Sequence, residues 1–296
     1  MSLTKEQRQE LIDVLDRTGQ HRKEGVAQKA IPEKMYEYTK LVDREEQVIT
    51  VDECTVPFRI VITKAKDRAA GCPLLFNMHG GGFIFKQDSD DDLFCARLAA
   101  ELHAIVVDID YASSLDDPYP AAFDQCYGTI KKFIAEAREL GADPNKTATL
   151  GHSAGGCLVM SIALRANETG DFRLGMQVMD YAANDNYFPL VTPGNERSRA
   201  FSLLYADGNE ELLKDPHVSA IYATDEMLKN MPRTLIINAA KCPFCEMNEE
   251  LGMRMVKMGN EVTMKRFTES RHGFTIRFVD EWDEAQTLIV DQLRTL

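Results

Sequence analysis

The chain has 296 residues, 44% of them hydrophobic and 27% charged, which is enough apolar material for a sizeable core and excludes wholesale disorder. Its formal charge of -13 offers no basic face to phosphates and so argues against a nucleic-acid partner. No run approaches the roughly 18 apolar residues of a membrane helix, so no membrane association is expected. Met1 to Gly19 is charged throughout and lacks a signal peptide's apolar stretch. Seven cysteines, an odd number, fit a reducing cytosol, and a cytoplasmic protein is expected.

Residues 1 to about 44 read as helical and amphipathic, with Leu11, Ile12, Val14 and Leu15 apolar among charges. Strands are expected at 47–51, 58–62, 74–78 and 104–109, then at 147–150, 176–179, 235–238 and 262–267. Helices are expected at 89–102, 121–140, 154–167, 246–258 and 280–295. This alternation implies an α/β fold: one domain with a mostly parallel, eight-stranded sheet and helices on both faces. The stretch 185–231 breaks the rhythm. It is polar and punctuated by Pro and Gly, with helices expected near 196–205 and 224–230. Together with 1–44 it is the candidate cap. The acidic run Asp88 to Asp92 reads as the cap of the helix that follows, where carboxylates meet the positive end of the dipole.

Gly151-His152-Ser153-Ala154-Gly155 spells G-x-S-x-G between an apolar run and a helix. In that context a serine hydroxyl stands at the tip of a strained strand-to-helix turn, poised as a nucleophile. His79-Gly80-Gly81-Gly82 follows the strand at 74–78. A flexible turn explains one or two glycines but not three behind a histidine at a strand end. As an oxyanion hole, the N–H groups of Gly80 and Gly81 are joined by that of Ala154. The triad order Ser–acid–His of this arrangement leaves two histidines as the base, His217 and His272. His217 lies in the insertion and reads as a surface residue. His272 follows the last strand and precedes the final helix, so it is the expected base. Five cysteines (Cys54, Cys72, Cys95, Cys126, Cys157) read as small buried hydrophobes. Phe83 and Phe85, beside the oxyanion loop, read equally as an acyl-chain wall or as core.

Over roughly 70–290 the chain resembles the hormone-sensitive-lipase-like branch of α/β-hydrolase carboxylesterases. The carrying residues are His79-Gly80-Gly81-Gly82-Phe83, Tyr119-Pro120-Ala121-Ala122, Gly151 to Gly156 and His272-Gly273-Phe274. The resemblance implies an α/β-hydrolase fold with a helical cap and hydrolysis of short- to medium-chain carboxylic esters through an acyl-enzyme. It implies a small-molecule ester as partner and no cofactor or metal; a homodimer remains open.

Three places depart from that pattern: the family's Y-R-x-A-P-E stretch reads Tyr111-Ala112-Ser113-Ser114-Leu115-Asp116 here, and two single residues differ. The residue before the nucleophile is His152 rather than aspartate, and the triad aspartate is replaced by Cys242, with no aspartate from Glu226 to Val279. Glu246, one helical turn on, is the first candidate acid. Asp185, after the sixth strand, is the alternative, and a Cys242 thiolate is the third. If none serves, the fold would bind a small ligand with little or no turnover. Cys242 and Cys245 also form a C-x-x-C spacing, but the surrounding fold is wrong for a thioredoxin-like dithiol, and zinc would need two more ligands.

Overall fold

A computed structural model describes residues 2–25 and 31–296; the remainder of the expected N-terminal helical stretch, 26–30, lies outside them. The chain begins with helices α1 (Lys5–Gly25) and α2 (Glu33–Thr39), followed by strands β1 (Val42–Val51), β2 (Cys54–Ala65) and β3 (Cys72–Met78). Then come α3 (Ser89–Leu102), β4 (Ile105–Asp110), α4 (Ala121–Ala135), β5 (Ala142–His152), α5 (Ala154–Thr169) and β6 (Met176–Asp180). The insertion carries α6 (Phe188–Val191) and α7 (Glu196–Tyr205), and β7 (Arg233–Ala239), α8 (Cys245–Lys257), β8 (Val262–Phe267) and α9 (Trp282–Leu293) complete the chain.

The eight strands form one sheet in the order β1-β2-β4-β3-β5-β6-β7-β8. β1, β2 and β4 pair antiparallel, and every other pair is parallel. The central strands are apolar on both faces because helices cover both. Leu74, Phe76 and Met78 face a core shared with α4 and α5, whereas Leu75 faces the core of α2, α3 and α9. β1 is an edge strand, and its exposed Asp43, Arg44, Glu45 and Glu46 discourage pairing with another chain. Asp88 caps α3 through a capping box with Asp91, as expected of the acidic run. Among the described residues no helix is long and apolar enough to cross a membrane.

Several boundaries differ from the sequence reading. β1 begins at Val42, inside the stretch read as helical. α4 stops at Ala135 rather than 140, and turns lead to a reversal at Gly141, whose φ is 83°. Residues 225–230 are turns rather than helix. Asn230 there is left-handed (φ 57°) and Pro232 follows, so too few residues remain to nucleate a helix.

The N-terminal stretch also divides. α1 packs on α7, with Leu15, Ala200, Leu204 and Ile84 in one cluster and Arg8 paired to Asp207 at 2.6 Å. α2 instead joins the layer beside the sheet, where Met35 is buried and Tyr38 donates to Glu101 at 2.7 Å.

Candidate active site

β5 ends at His152 and α5 starts at Ala154, leaving Ser153 alone at the turn with φ 55° and ψ -113°. A non-glycine residue held there costs on the order of 1–3 kcal/mol and persists only where its surroundings enforce it. Here they do. The Ser153 N–H donates to the Asp180 carbonyl, and the Ser153 carbonyl accepts from the Ala183 N–H, each at 3.0 Å. A Cβ on Gly155 would stand 1.9 Å from the Met78 carbonyl oxygen, so the turn closes only with glycine at that position.

The Ser153 Oγ lies 2.8 Å from His272 Nε2. His272 sits in the loop after β8, which is tied to the residues just before α9 by Ser270 donating to Glu281 at 2.9 Å and by the Arg271–Asp280 pair at 3.0 Å. The edges of Tyr181 and Phe244 pack on the imidazole at 4.9 and 5.9 Å.

Behind the imidazole, Nδ1 faces the Cys242 Sγ at 3.1 Å. Cys242 follows β7, and its N–H donates to the Ala239 carbonyl. Burial pushes the thiol up to about 12 despite the Phe244 N–H, which pulls it down; Cys245 and Asp180 push it further up. Burial thus favours the thiol form of Cys242 over the thiolate reading. Neither candidate carboxylate takes this place. Glu246 is solvent-exposed in the first turn of α8, where a carboxylate favours the helix dipole. Asp185 accepts from the N–H groups of Tyr187 and Phe188 at 2.9 and 2.8 Å and so builds the turn into α6.

The oxyanion loop follows β3. Gly80 lies against the nucleophile: a Cβ on it would be 3.6 Å from the Ser153 Cβ. The loop's carbonyls are engaged elsewhere. Gly81 accepts from the N–H groups of Ile84 and Phe85, Gly80 from His79 Nδ1, and His79 from the Tyr111 hydroxyl. His79 itself is fully buried and stacked on Tyr111, and burial pulls it down to about 4, so it is a neutral prop for the loop. The Ala154 N–H opens α5, where the first-turn donors of a helix have no intrahelical partner.

Other contacts were not legible in the sequence. His152 is buried beneath the turn and donates through Nδ1 to Asp180 at 2.8 Å. The departure from aspartate before the nucleophile was the only signal of that pair. From α7, Tyr205 stacks on Phe83 at 3.7 Å and the Phe201 ring lies against Gly82. His217 pairs with Glu168 and Asp215, far from the role of base.

The Ser153 hydroxyl opens into a cavity of about 370 Å³. Phe83, Ala183, Pro189, Phe201 and Phe244 give it apolar walls, while Thr18 of α1 and Asn186, Arg197 and Ser202 of the insertion add polar groups. Phe83 lines it, whereas Phe85 is exposed at 48% and packs on the edge of Phe201. Four of the five cysteines read as core are buried; Cys54 is half-buried.

A family model described as alpha/beta hydrolase fold matches residues 75–276. Among characterised relatives, Esterase LipI of Mycobacterium tuberculosis is 28% identical over 214 residues, covering 69% of this chain and 66% of that protein. Human hormone-sensitive lipase is 29% identical over 131 residues, 44% of this chain and 12% of the lipase. The matched region is thus under two thirds of either relative's length. Among solved structures, the hyperthermophilic esterase of Pyrobaculum calidifontis superposes with a TM-score of 0.79 at 24% identity, covering 100% of this chain and 99% of that one.

Proposed function

This chain belongs to an α/β-hydrolase family of the hormone-sensitive-lipase type, and from that footing we propose that it hydrolyses small carboxylic esters through an acyl-enzyme on Ser153. The observation that carries this reading is the 2.8 Å contact between the Ser153 hydroxyl and His272 Nε2 at a strained strand-to-helix turn. Ser153 attacks the ester carbonyl as His272 takes its proton. The N–H groups of Gly80, Gly81 and Ala154 hold the oxyanion, and the carbonyl bonding pattern of the loop supports that assignment. His272 then protonates the departing alcohol, and water, deprotonated by His272, releases the acid.

A cavity of about 370 Å³ suits acyl groups of short to medium length. Thr18 and the side chains from 186–202 line it, which supports α1 and the 185–231 insertion as a cap. The reading of a ligand-binding protein without turnover is not favoured, because the relatives and the neighbour above are named as esterases or a lipase.

The test is hydrolysis of a p-nitrophenyl ester series by wild type and by Ser153→Ala and His272→Ala. Both variants should lose at least about 10³-fold in kcat. Activity unchanged in Ser153→Ala would refute the reading.

A further inference from the structure

Asn186 lies at the start of the insertion, between β6 and α6, and is 5% exposed. Its donors all have partners. The backbone N–H donates to the Ser219 hydroxyl at 2.8 Å. The side-chain Nδ2 donates to the Val218 carbonyl at 2.6 Å, to the Ala183 carbonyl at 3.3 Å and to Cys157 Sγ at 3.5 Å. A carbonyl oxygen only accepts, so the carboxamide cannot be turned over: nitrogen faces Val218 and Ala183, and Oδ1 faces away from them. Among the described residues no group donates to Oδ1. Asn186 lines the cavity in front of Ser153, and Oδ1 is the side-chain polar atom it has left to present there.

Fastening Val218 to Ala183 accounts for the nitrogen of this side chain and leaves the oxygen over. An acceptor on a fixed amide, among apolar cavity walls, orients a ligand that carries a hydrogen-bond donor. It also discriminates, because a substrate without the donor displaces water from Oδ1 and leaves it unpaired.

The mechanism divides the ester between two sides of the cavity. His272 protonates the departing alcohol, so the alcohol lies by the base, against Pro243 and Phe244. The acyl carbon becomes bonded to Ser153. The Ser153 carbonyl accepts from the Ala183 N–H at 3.0 Å, and the Ala183 carbonyl accepts from Asn186. Asn186 is thus anchored to the backbone of the nucleophile, which sets its oxygen toward the acyl group near the scissile carbonyl. An ammonium as donor would need a carboxylate beside it, and none lines the cavity among the described residues. A hydroxyl has no such requirement.

We propose that Asn186 Oδ1 is a specificity-determining acceptor and that the preferred substrates are esters of short-chain hydroxy acids, with the hydroxyl on C2 or C3 of the acyl group. This deepens the esterase reading and rests on it.

The experiment compares kcat/KM for p-nitrophenyl butyrate with that for its 2-hydroxy, 3-hydroxy, 2-methoxy and 3-methoxy analogues. A methoxy group keeps the inductive effect and removes the donor. Wild type should favour one hydroxy ester over its methoxy partner and over butyrate by about 10-fold. Asn186→Leu keeps much of the bulk and removes the acceptor, so the hydroxy-to-methoxy ratio should fall to about 2-fold or less. A merely structural residue would lower all five rates together and leave that ratio in place.

Wild type without a preference for either hydroxy ester overturns the proposal, as does an unchanged ratio in a folded Asn186→Leu. If Asn186→Leu does not fold, the wild-type ratios decide. A preference for 2-hydroxyethyl over ethyl butyrate, with none for a hydroxylated acyl group, overturns the placement on the acyl side. Labelling by a fluorophosphonate in the same preparation separates the failures. A labelled serine without a hydroxyl preference defeats only the role of Asn186, whereas no labelling defeats the esterase reading as well.

Discussion

The ring of Phe201 occupies the space that a Cβ on Gly82 would need: its Cγ lies 2.5 Å from where that atom would stand. A residue of α7 thus presses directly on the oxyanion loop, and Gly82 is also left-handed, with φ 64°. Gly82→Ala should leave the fold intact but displace the loop, lowering kcat by about 10²-fold or more, the effect of losing an oxyanion donor. Phe201→Ala should lower kcat less and raise KM, since it removes a cavity wall as well as the clamp. Steady-state kinetics on a short ester would show both. A Gly82→Ala enzyme of normal kcat would contradict this coupling.

Arg97 joins α3 to α9. Its side chain, 5% exposed, bonds Glu101, Asp283, Gln286 and Thr287 at 2.9 to 3.1 Å. Breaking a fully buried pair costs roughly 3–5 kcal/mol. Asp283 is 48% exposed, so solvent screening lowers the expectation for Arg97→Met to about 2 kcal/mol. Urea unfolding measures this, and a loss within about 0.5 kcal/mol, ordinary for a surface substitution, would mean the cluster is not cooperative.

Alkaline stability follows from the buried thiols. Burial pushes Cys157 and Cys242 up to about 12 and Cys95 and Cys126 well above their ordinary value of 9.0. Each binds its proton more tightly folded than unfolded. The stability this confers is complete below the unfolded value and is lost as pH rises from about 9 toward 12. Tm should therefore fall more steeply from pH 9 to 11 than from pH 7 to 8. Equal Tm at pH 8 and pH 10.5 would contradict the assignment.

Asp108 should show the same sign at lower pH. Burial pushes its carboxyl up to about 7, although Asn77 donates to it at 2.8 Å. Its contribution is complete below about 4 and is lost as pH rises through 7. Asp108→Asn should accordingly raise Tm at pH 8 and change it little at pH 5. An equal shift at both pH values would show that the charge is not the cause.

Much of this architecture was legible because local signals agreed. Apolar runs marked the strands from β3 onward, and the glycines flanking Ser153 and following His79 marked the two turns around the nucleophile. His272 was identifiable from its place between β8 and α9. What the sequence concealed were contacts that depend on how distant segments pack. Glu246 and Asp185 have the right chemistry near the right strands, yet one faces solvent and the other builds the turn into α6. No local pattern foretells that Phe201 and Tyr205, one helical turn apart, both reach the oxyanion loop, or that His152 finds Asp180 on the neighbouring strand.

The most direct test of the central claim is peptide mapping of the protein quenched during turnover of a p-nitrophenyl ester. The account predicts an acyl group on Ser153, present in wild type and absent from Ser153→Ala. An acyl group on another residue, or undiminished turnover in Ser153→Ala, would contradict it.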